Sequence, residues 1–260
     1  MKEKIMLIAG CSHASGSEID GNQDSVYNRQ NSFGNVLAGK LKRKPINIAE
    51  PGSTNPTIAR SILQWFDEKY NPETMDVFVL VSWTDSTRME VPWERKSWYG
   101  KHSPFYDYHA STGDSYNRIN LGWPGGDPEE KIFIADYHKF IAKNENYLEI
   151  ISANLILQIQ YFLQSKQVDY LMCNSTHVFG EKNEYTSFYL SQIDTTKYYN
   201  MEDSQKSFYI KYKNAGYTNP KAKYWHHNET PHQLYADELY NFIEEKNVYN
   251  TMVQAFSQGI

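Results

Sequence analysis

The stretch Asp76-Val77-Phe78-Val79-Leu80-Val81-Ser82 decides the fold, because it holds an unbroken apolar run with three β-branched residues. Such a run is typical of a strand buried on both faces of a sheet, as in parallel sheets covered by helices. A similar run at 4–9 ends in Gly10, and shorter runs cover 45–49 and 168–173. The sequence therefore predicts four buried strands.

Segments with apolar residues at helical spacing alternate with these strands. The predicted helices begin after Ser32, at Ser53 or Thr54 (to about residue 70), at 144–164, near 202–211 and at 231–246. Strand and helix alternating over short connections indicate a parallel sheet with helices on both faces. The predicted fold class is thus α/β, a three-layer α/β/α arrangement around a flavodoxin-like parallel sheet.

Two irregular stretches interrupt this alternation, at about 86–143 and 174–219. We expect a single domain over 1–260 in which these are insertions, since connections of such length are usually functional or inserted. The first insertion is rich in aromatic residues, and we expect it to roof the binding cleft. Its aromatic residues include Trp93, Trp98, Tyr99, Phe105, Tyr106, Tyr108, Tyr116 and Trp123.

The composition is that of an ordinary globular protein, with 40% hydrophobic and 22% charged residues and a net charge of −5. No strongly basic block is present, so nucleic acid is not an expected partner. No run approaches the roughly 18 apolar residues of a membrane span, so no membrane partner is expected.

The two cysteines give no disulfide framework, which is typical of a reducing compartment. Residues 8–11 superficially resemble a lipoprotein cleavage box, but the apolar stretch before Cys11 is shorter than the roughly 7–15 residues of a signal-peptide core. We therefore expect a cytoplasmic protein, in a host cell or assembled into a particle there.

Polar segments follow the predicted strands, at the edge where doubly wound sheets bind ligands. The first, residues 10–16, places Ser12 directly after a strand, where the next turn can offer a backbone N–H to an oxyanion. The second, residues 49–55, contains Gly52, which permits close backbone approach, and Asn55, which carries an amide. Each segment alone also fits a turn or a helix cap.

Two further polar segments complete the set. Thr84 and Asp85 follow the third predicted strand and lead to Arg88. Residues 225–232 open the last predicted helix and hold three histidines, of which His226 could take the proton of a serine nucleophile. A lone histidine is usually structural, but three histidines in seven residues favour a functional site.

In order and spacing, these four segments resemble the motifs of the SGNH (GDSL-like) hydrolases. Gly10-Cys11-Ser12 resembles that family's Gly-Asp-Ser motif, with the nucleophile at Ser12. The resemblance further implies an oxyanion hole that includes Gly52 and the residue at Thr84, and a catalytic histidine at His226. The Gly-Cys-Ser-His and Trp-Thr-Asp-Ser-Thr-Arg variants resemble a phage-encoded branch of the family.

Two positions depart from the family pattern. The family aspartate three residues before the histidine is Lys223, so nothing obvious fixes the tautomer of His226. A backbone carbonyl could orient the ring, or one of four acids could substitute: Glu18, Asp20, Asp85 or Glu229. The family asparagine of the third motif is Thr84, a shorter donor for which Asn55 could substitute.

The resemblance implies a serine esterase that forms an acyl-enzyme on Ser12, with His226 as base and then acid. A small-molecule or carbohydrate ester, such as an O-acetylated sugar, is the expected substrate by family analogy. No metal and no organic cofactor are implied. A homo-oligomer or assembly into a phage particle is compatible with the sequence.

Two alternatives stay open. The chain could be a catalytically inactive binding or structural protein with the SGNH fold, such as a phage particle component, which the missing aspartate and asparagine favour. A nucleotide-binding flavodoxin-like domain is the weaker alternative, because residues 10–16 lack glycines at the spacing of a phosphate-binding loop.

Overall fold

Four parallel strands form the central sheet, in the order β2-β1-β3-β6. In chain order the strands are β1 (Glu3–Gly10), β2 (Lys44–Asn47), β3 (Met75–Trp83), β4 (Met89–Pro92), β5 (Tyr116–Ile119) and β6 (Asp169–Asn174). Strands β4 and β5 pair with each other in antiparallel fashion, outside the main sheet. The computed structural model describes residues 2–92, 116–119, 132, 135–142, 145–176 and 184–249.

Eight α-helical segments accompany the strands in the described residues. They are α1 (Ser12–Ser15), α2 (Val26–Gln30), α3 (Phe33–Lys40), α4 (Asn55–Glu68), α5 (Glu145–Ser165), α6 (Glu184–Leu190), α7 (Phe208–Asn214) and α8 (Glu229–Lys246). A π-helical turn covers His138–Ala142, and 3₁₀ turns cover Thr195–Lys197 and Ser204–Lys206. None of these helices is long and apolar enough to cross a membrane.

Strands β1, β3 and β6 are buried on both faces of the sheet, as their apolar runs predict. The prediction of a buried strand is wrong for β2, an edge strand whose residues Lys44 and Pro45 are exposed. Successive residues of a strand point to opposite faces. Leu7 and Val79 accordingly pack with α4 and α5, whereas Ile8 and Leu80 pack on the other face with α3, α7 and α8. This arrangement confirms the predicted three-layer α/β/α fold.

The register brings the carboxyl ends of the strands together. Gly10 pairs with Ser82, and Ser82 pairs with Cys173, so the last residues of β1 lie beside those of β3 and β6. The backbone N–H of Glu50 donates to the Gly10 carbonyl (3.2 Å), which draws the loop after β2 to the same edge. Cys11 and Cys173 are both buried and free.

Some helix ends differ from the predicted positions. The Ser32 hydroxyl accepts a hydrogen bond from the Asn35 N–H and caps α3, as predicted. Residues 12–31 contain α1 and α2, although this polar stretch has no apolar periodicity that would predict helices. Helix α8 begins at Glu229, two residues earlier than predicted, because Pro231 is tolerated in a first turn, whose N–H groups have no intrahelical partner.

The two predicted insertions differ in how much of them is described. The second contains α6, two 3₁₀ turns and α7, which begins six residues later than the helix predicted at 202–211; residues 177–183 lie outside the described part. Most of the first insertion lies outside it as well, and its role as a roof stays a prediction. The aromatic residues of the first insertion outside the described residues include Trp93, Trp98, Tyr99, Phe105, Tyr106, Tyr108 and Trp123.

Candidate active site

Ser12 is the first residue of α1, directly beyond the end of β1, and it is buried. Its carbonyl accepts hydrogen bonds from the Ser15 hydroxyl (2.9 Å) and the Ser17 N–H (2.9 Å), which close the short helix. The helix ends at Gly16 with φ of +79°, and a Cβ there would lie 2.3 Å from the Asn28 carbonyl oxygen. Only glycine fits this turn, so the position of Ser12 is fixed from both sides.

A second glycine lets the serine turn approach the sheet. A Cβ on Gly10 would lie 2.6 Å from the Ala14 Cβ and 3.0 Å from the Ser82 carbonyl oxygen. Real Cβ atoms do not come so close to other atoms, so a larger residue would push α1 away from β3. The match of Gly10 to the family motif therefore has a local steric reason.

Glu18 is the acidic residue that contacts His226. One of its carboxylate oxygens lies 2.6 Å from Nδ1 of His226, although the two residues are 208 positions apart. The Glu18 side chain is buried, at 3% relative exposure, and the His226 side chain is partly buried, at 11%. The carboxylate therefore fixes the ring orientation of His226, and its charge favours a proton on Nδ1.

Glu18 is held by hydrogen bonds on all its polar groups. Its carboxylate also accepts the backbone N–H groups of Lys223 and Tyr224 (both 2.9 Å). Its own N–H donates to the Asn22 carbonyl, and its carbonyl accepts from the Asn219 amide (2.7 Å). These bonds hold its backbone at a φ of +63°, which is uncommon for a residue other than glycine.

The environment keeps Glu18 ionised. Burial alone would raise the pKa of its carboxyl, but the hydrogen bonds from His226, Tyr224 and Lys223 outweigh that effect and lower the pKa below its usual value. A buried carboxylate with several donors is charged at neutral pH. It can therefore stabilise an imidazolium on His226.

The other three acids weighed from the sequence are engaged elsewhere. Asp20 accepts the Asn22 N–H and the Ser25 hydroxyl. Asp85 accepts both the N–H and the hydroxyl of Thr87, and Glu229 accepts the exposed Tyr27 hydroxyl. Of the four candidates, Glu18 is the one that the structure brings to His226.

Lys223 contributes its backbone rather than its side chain. Its N–H binds Glu18, while its ammonium lies 5.2 Å from the centre of the Tyr224 ring. Lys223 therefore lies beside the Glu18 carboxylate through its main chain. The carboxylate that contacts His226 belongs to Glu18, which is 208 positions earlier in the sequence.

The neighbouring histidines have structural contacts. His232 is buried, and its Nδ1 accepts the Phe33 N–H (3.1 Å), which requires a neutral ring. Nε2 of His227 lies 3.1 Å from the Tyr209 carbonyl oxygen. Burial lowers the pKa of both imidazoles, most strongly that of His232.

His13, directly after Ser12, lies against the histidine of the site. Its ring centre is 5.1 Å from that of His226, in an edge-on arrangement, and it stacks on Tyr209 at 5.4 Å. Burial, followed by the nearby His226, lowers the pKa of His13 well below its usual value. Its Nδ1 is buried and has no hydrogen-bond partner among the described residues. The loop of Ser12 and the loop of His226 are therefore in direct contact.

Asn55 and Thr84 join the second and third polar segments. The Asn55 amide donates to the Thr84 carbonyl (3.1 Å) and to the Ser152 hydroxyl (3.1 Å), and its oxygen accepts the Thr84 N–H (2.9 Å). Both N–H bonds of this amide are thus engaged within the protein. The Thr84 hydroxyl is buried and lacks a hydrogen-bond partner in the described part of the chain.

Gly52 and Arg88 lie near Asn55 and Thr84. Gly52 is three residues before Asn55 in the sequence, and Arg88 is four residues after Thr84. Gly52 has a φ of +78°, and no heavy atom lies within 4 Å of the position its Cβ would take, so the space there is open. The Arg88 guanidinium donates to the Ser53 carbonyl (3.2 Å), next to Gly52. Its charge is among the causes that lower the pKa of His13, which places Arg88 within electrostatic reach of the serine loop.

The site as described suits acid–base and nucleophilic chemistry. No group of three or more histidine, cysteine, aspartate or glutamate residues in the described ranges is arranged to hold a metal ion. An oriented histidine, a serine in a fixed turn on the adjoining loop and a buried carboxylate are the groups from which hydrolytic triads are built.

No protein-family model matches the chain, and no curated protein matches it. Solved structures similar to it include a family two carbohydrate esterase from Clostridium thermocellum in complex with cellohexaose (TM-score 0.45, 13% identity, covering 95% of this chain). The chain spans 65% of the length of that protein.

Two further solved structures are similar to a comparable degree. One is the psychrotrophic esterase EstA from Pseudoalteromonas sp., inhibited by monoethylphosphonate (TM-score 0.42, 12% identity, covering 94% of this chain and 98% of that one). The other is a carbohydrate esterase whose active site displays divergent catalytic and non-catalytic binding functions (TM-score 0.45, 12% identity, covering 96% and 67%). Likenesses at TM-scores of 0.42 and 0.45 do not assign a function to the chain.

Proposed function

We propose that the chain is a serine esterase in which Ser12, His226 and Glu18 act as nucleophile, base and orienting acid. The observation that carries the proposal is the 2.6 Å contact between the Glu18 carboxylate and Nδ1 of His226. It supplies the function of the aspartate that the sequence lacks at Lys223. With Nδ1 held by Glu18, Nε2 is the nitrogen left to serve the Ser12 hydroxyl.

The first half-reaction forms an acyl-enzyme. The Ser12 oxygen attacks the ester carbonyl carbon while its proton passes to Nε2 of His226, and the carbonyl oxygen becomes an oxyanion. Glu18 stabilises the resulting imidazolium without taking its proton. Collapse of the tetrahedral intermediate breaks the bond to the alcohol oxygen, which leaves with the proton from Nε2.

The second half-reaction releases the acid. A water molecule gives a proton to Nε2 and attacks the acyl carbon, and the Ser12 oxygen leaves with that proton. Backbone N–H groups of Ser12 and Gly52 and the Thr84 hydroxyl are the proposed oxyanion donors. Asn55, with both N–H bonds engaged, would hold Thr84 in place, and Arg88 would contact the substrate.

A short acyl ester on a sugar, such as an O-acetyl group, is the substrate we propose. This choice follows the likeness of the motifs to SGNH hydrolases. No step of the mechanism requires a metal or a cofactor. The phage-encoded origin and the assembly into a particle stay predictions.

A non-catalytic binding protein is the second candidate. It is favoured by one observation, the replacement of the family asparagine by Thr84, with the nearby Asn55 amide engaged in internal hydrogen bonds. Such a protein would bind a ligand at the same edge of the sheet without hydrolysing it.

The decisive experiment combines p-nitrophenyl acetate with a fluorophosphonate probe. We expect the wild-type chain to hydrolyse the ester and to be labelled, and Ser12→Ala to lose labelling and at least about 1,000-fold in kcat/KM. Ser17→Ala, a buried serine of the same loop, serves as the control and should still be labelled. An unlabelled and inactive wild-type chain with native circular dichroism would exclude the esterase and favour the binding protein.

A further inference from the structure

Trp225 is the most exposed large apolar side chain in the described part of the chain, at 82% relative exposure. It directly precedes His226 in the sequence. Leaving an indole in water forgoes the stabilisation that its burial would provide. An exposed aromatic ring beside a reactive site is therefore a candidate for contact with a ligand.

The backbone fixes the direction in which the Trp225 side chain leaves the main chain. Trp225 has a φ of +63°, in the left-handed region that residues with a side chain rarely adopt. Its two neighbours bind one carboxylate, since the Tyr224 N–H and Nδ1 of His226 both contact Glu18. The turn between them is thereby imposed, and the acid that orients His226 also sets the conformation of Trp225. Strained backbone of this kind concentrates at functional sites.

The surroundings of the indole indicate the kind of ligand. The adjacent side chains of Lys223, Tyr224 and Asn228 carry polar groups, and Lys223 and Tyr224 are exposed. A lipid chain or a membrane would require a continuous apolar surface, which one indole does not provide. A ring with one apolar face and a rim of hydroxyl groups fits both the flat indole and its polar neighbours, and sugar rings have this character.

We propose that Trp225 is a specificity-determining residue on which a sugar ring of the substrate's alcohol portion stacks. This inference rests on the proposed esterase function, because the substrate's alcohol portion is defined only if an ester is cleaved at Ser12. Ring stacking next to His226 would hold the scissile ester over Ser12. Small esters without a sugar would gain nothing from the contact.

The test compares two substrates in Trp225→Gly. Glycine tolerates the positive φ, so the variant removes the indole without adding backbone strain. We expect kcat/KM for O-acetylated xylotetraose to fall about tenfold or more, mainly through a higher KM. The apolar surface that one stacked ring face buries contributes about a tenfold difference in affinity. The kcat/KM for ethyl acetate should stay within about twofold of wild type. Trp225→Phe should recover part of the lost activity on the saccharide.

The control is Phe188→Ala, which removes an aromatic ring of 67% exposure from α6. It should leave both substrates unaffected. Equal activity of wild type and Trp225→Gly on the acetylated saccharide would overturn the inference and leave the esterase intact.

Binding of unacetylated xylotetraose, followed by calorimetry, separates the two proposals. If the wild-type chain hydrolyses no ester but binds the saccharide, and Trp225→Gly binds it at least about tenfold more weakly, the esterase fails and the stacking role stands. If the wild-type chain neither binds nor hydrolyses the saccharide, the stacking role is overturned whatever happens with ethyl acetate.

Discussion

The two halves of the candidate site are held together in different ways. In the half that contains Ser12, a charged group joins distant loops, with the Glu18 carboxylate accepting from two backbone N–H groups and contacting His226. In the half that contains Gly52, a neutral amide does the same work, with Asn55 exchanging two hydrogen bonds with the Thr84 backbone. The charged carboxylate lies beside the histidine that would carry a proton in the proposed reaction. The neutral amide lies where backbone and side chains need only be held in position.

Replacing the charged group should have the largest effect. Glu18→Gln keeps the shape and one oxygen that can accept the Lys223 N–H, but it removes the charge. Its NH₂ group would then face Nδ1, favouring the wrong tautomer of His226. We expect kcat/KM for p-nitrophenyl acetate to fall about 1,000- to 10,000-fold, as when the acid of a triad is neutralised. Steady-state kinetics with active-site titration measure this.

Lys223→Ala is the matched control for that substitution. It leaves the backbone N–H that binds Glu18 in place and removes only an exposed side chain, so activity should change less than about twofold. A Glu18→Gln variant within tenfold of wild type would contradict the triad and leave His226 without an assigned orienting group.

Lowering the pH should first destabilise the half of the site that contains Ser12 and Glu18. Burial lowers the pKa values of His13, His227 and His232 below 6.5, so these rings are neutral when folded and bind protons more readily when unfolded. Their contribution to stability is complete above pH 6.5 and is lost as the pH falls towards their lowered pKa values. Three protons limit the slope to about 4 kcal/mol per pH unit, and the lowered pKa of Glu18 adds a further loss below pH 4.5.

Urea denaturation between about pH 5 and about pH 8 measures this slope. His232→Asn retains an acceptor for the Phe33 N–H and should reduce the limiting slope by about 1.4 kcal/mol per pH unit, the value for one proton. A free energy of unfolding that does not change over this range would show that these rings are not neutral in the folded chain.

Changing the neutral pair should have a smaller effect, mainly on stability. In Asn55→Asp, one oxygen can still accept the Thr84 N–H, but the other faces the Thr84 carbonyl in place of a donor. We expect a loss of about 2–3 kcal/mol in the free energy of unfolding, because buried acceptors are then left opposed. Activity should fall about tenfold as Thr84 shifts, an amount equal to one misplaced oxyanion donor or less.

Asn71→Asp gives the comparison for that substitution. The Asn71 side-chain oxygen accepts the Glu73 N–H at the surface, a role that aspartate fills equally well. Its stability should change by less than about 0.5 kcal/mol. Equal effects at both positions would mean that the Asn55 amide does not hold the second half of the site.

The layers of the fold could be predicted because the sequence patterns that indicate its strands and helices are local. The apolar runs of β1 and β3 and the caps at Ser32 and Thr54 each lie within a few residues. The region after Ser12 was harder, because α1 and α2 have only four and five residues and show no clear periodicity. Short helices of this kind are stabilised by tertiary contacts rather than by sequence pattern.

The candidate site could be predicted in part. The order of the motifs predicts Ser12 and His226 as site residues. It does not distinguish Glu18 from the three other acids that could orient the histidine. Nothing within its loop identifies it, since its partner is 208 positions away and its contacts include backbone N–H groups that any residue carries. The engagement of the Asn55 amide with Thr84 depends on the packing of α4 against the end of β3, which no spacing in the sequence records.

Two members of the proposed triad lie six positions apart in one early loop, whereas the third belongs to the segment just before α8. During synthesis on a ribosome, the nucleophile and its acid would emerge long before the histidine. A nascent chain would hold a serine with no base to activate it until that late segment docks. Under the proposed mechanism, hydrolysis would thus begin only after the segment that carries His226 has docked.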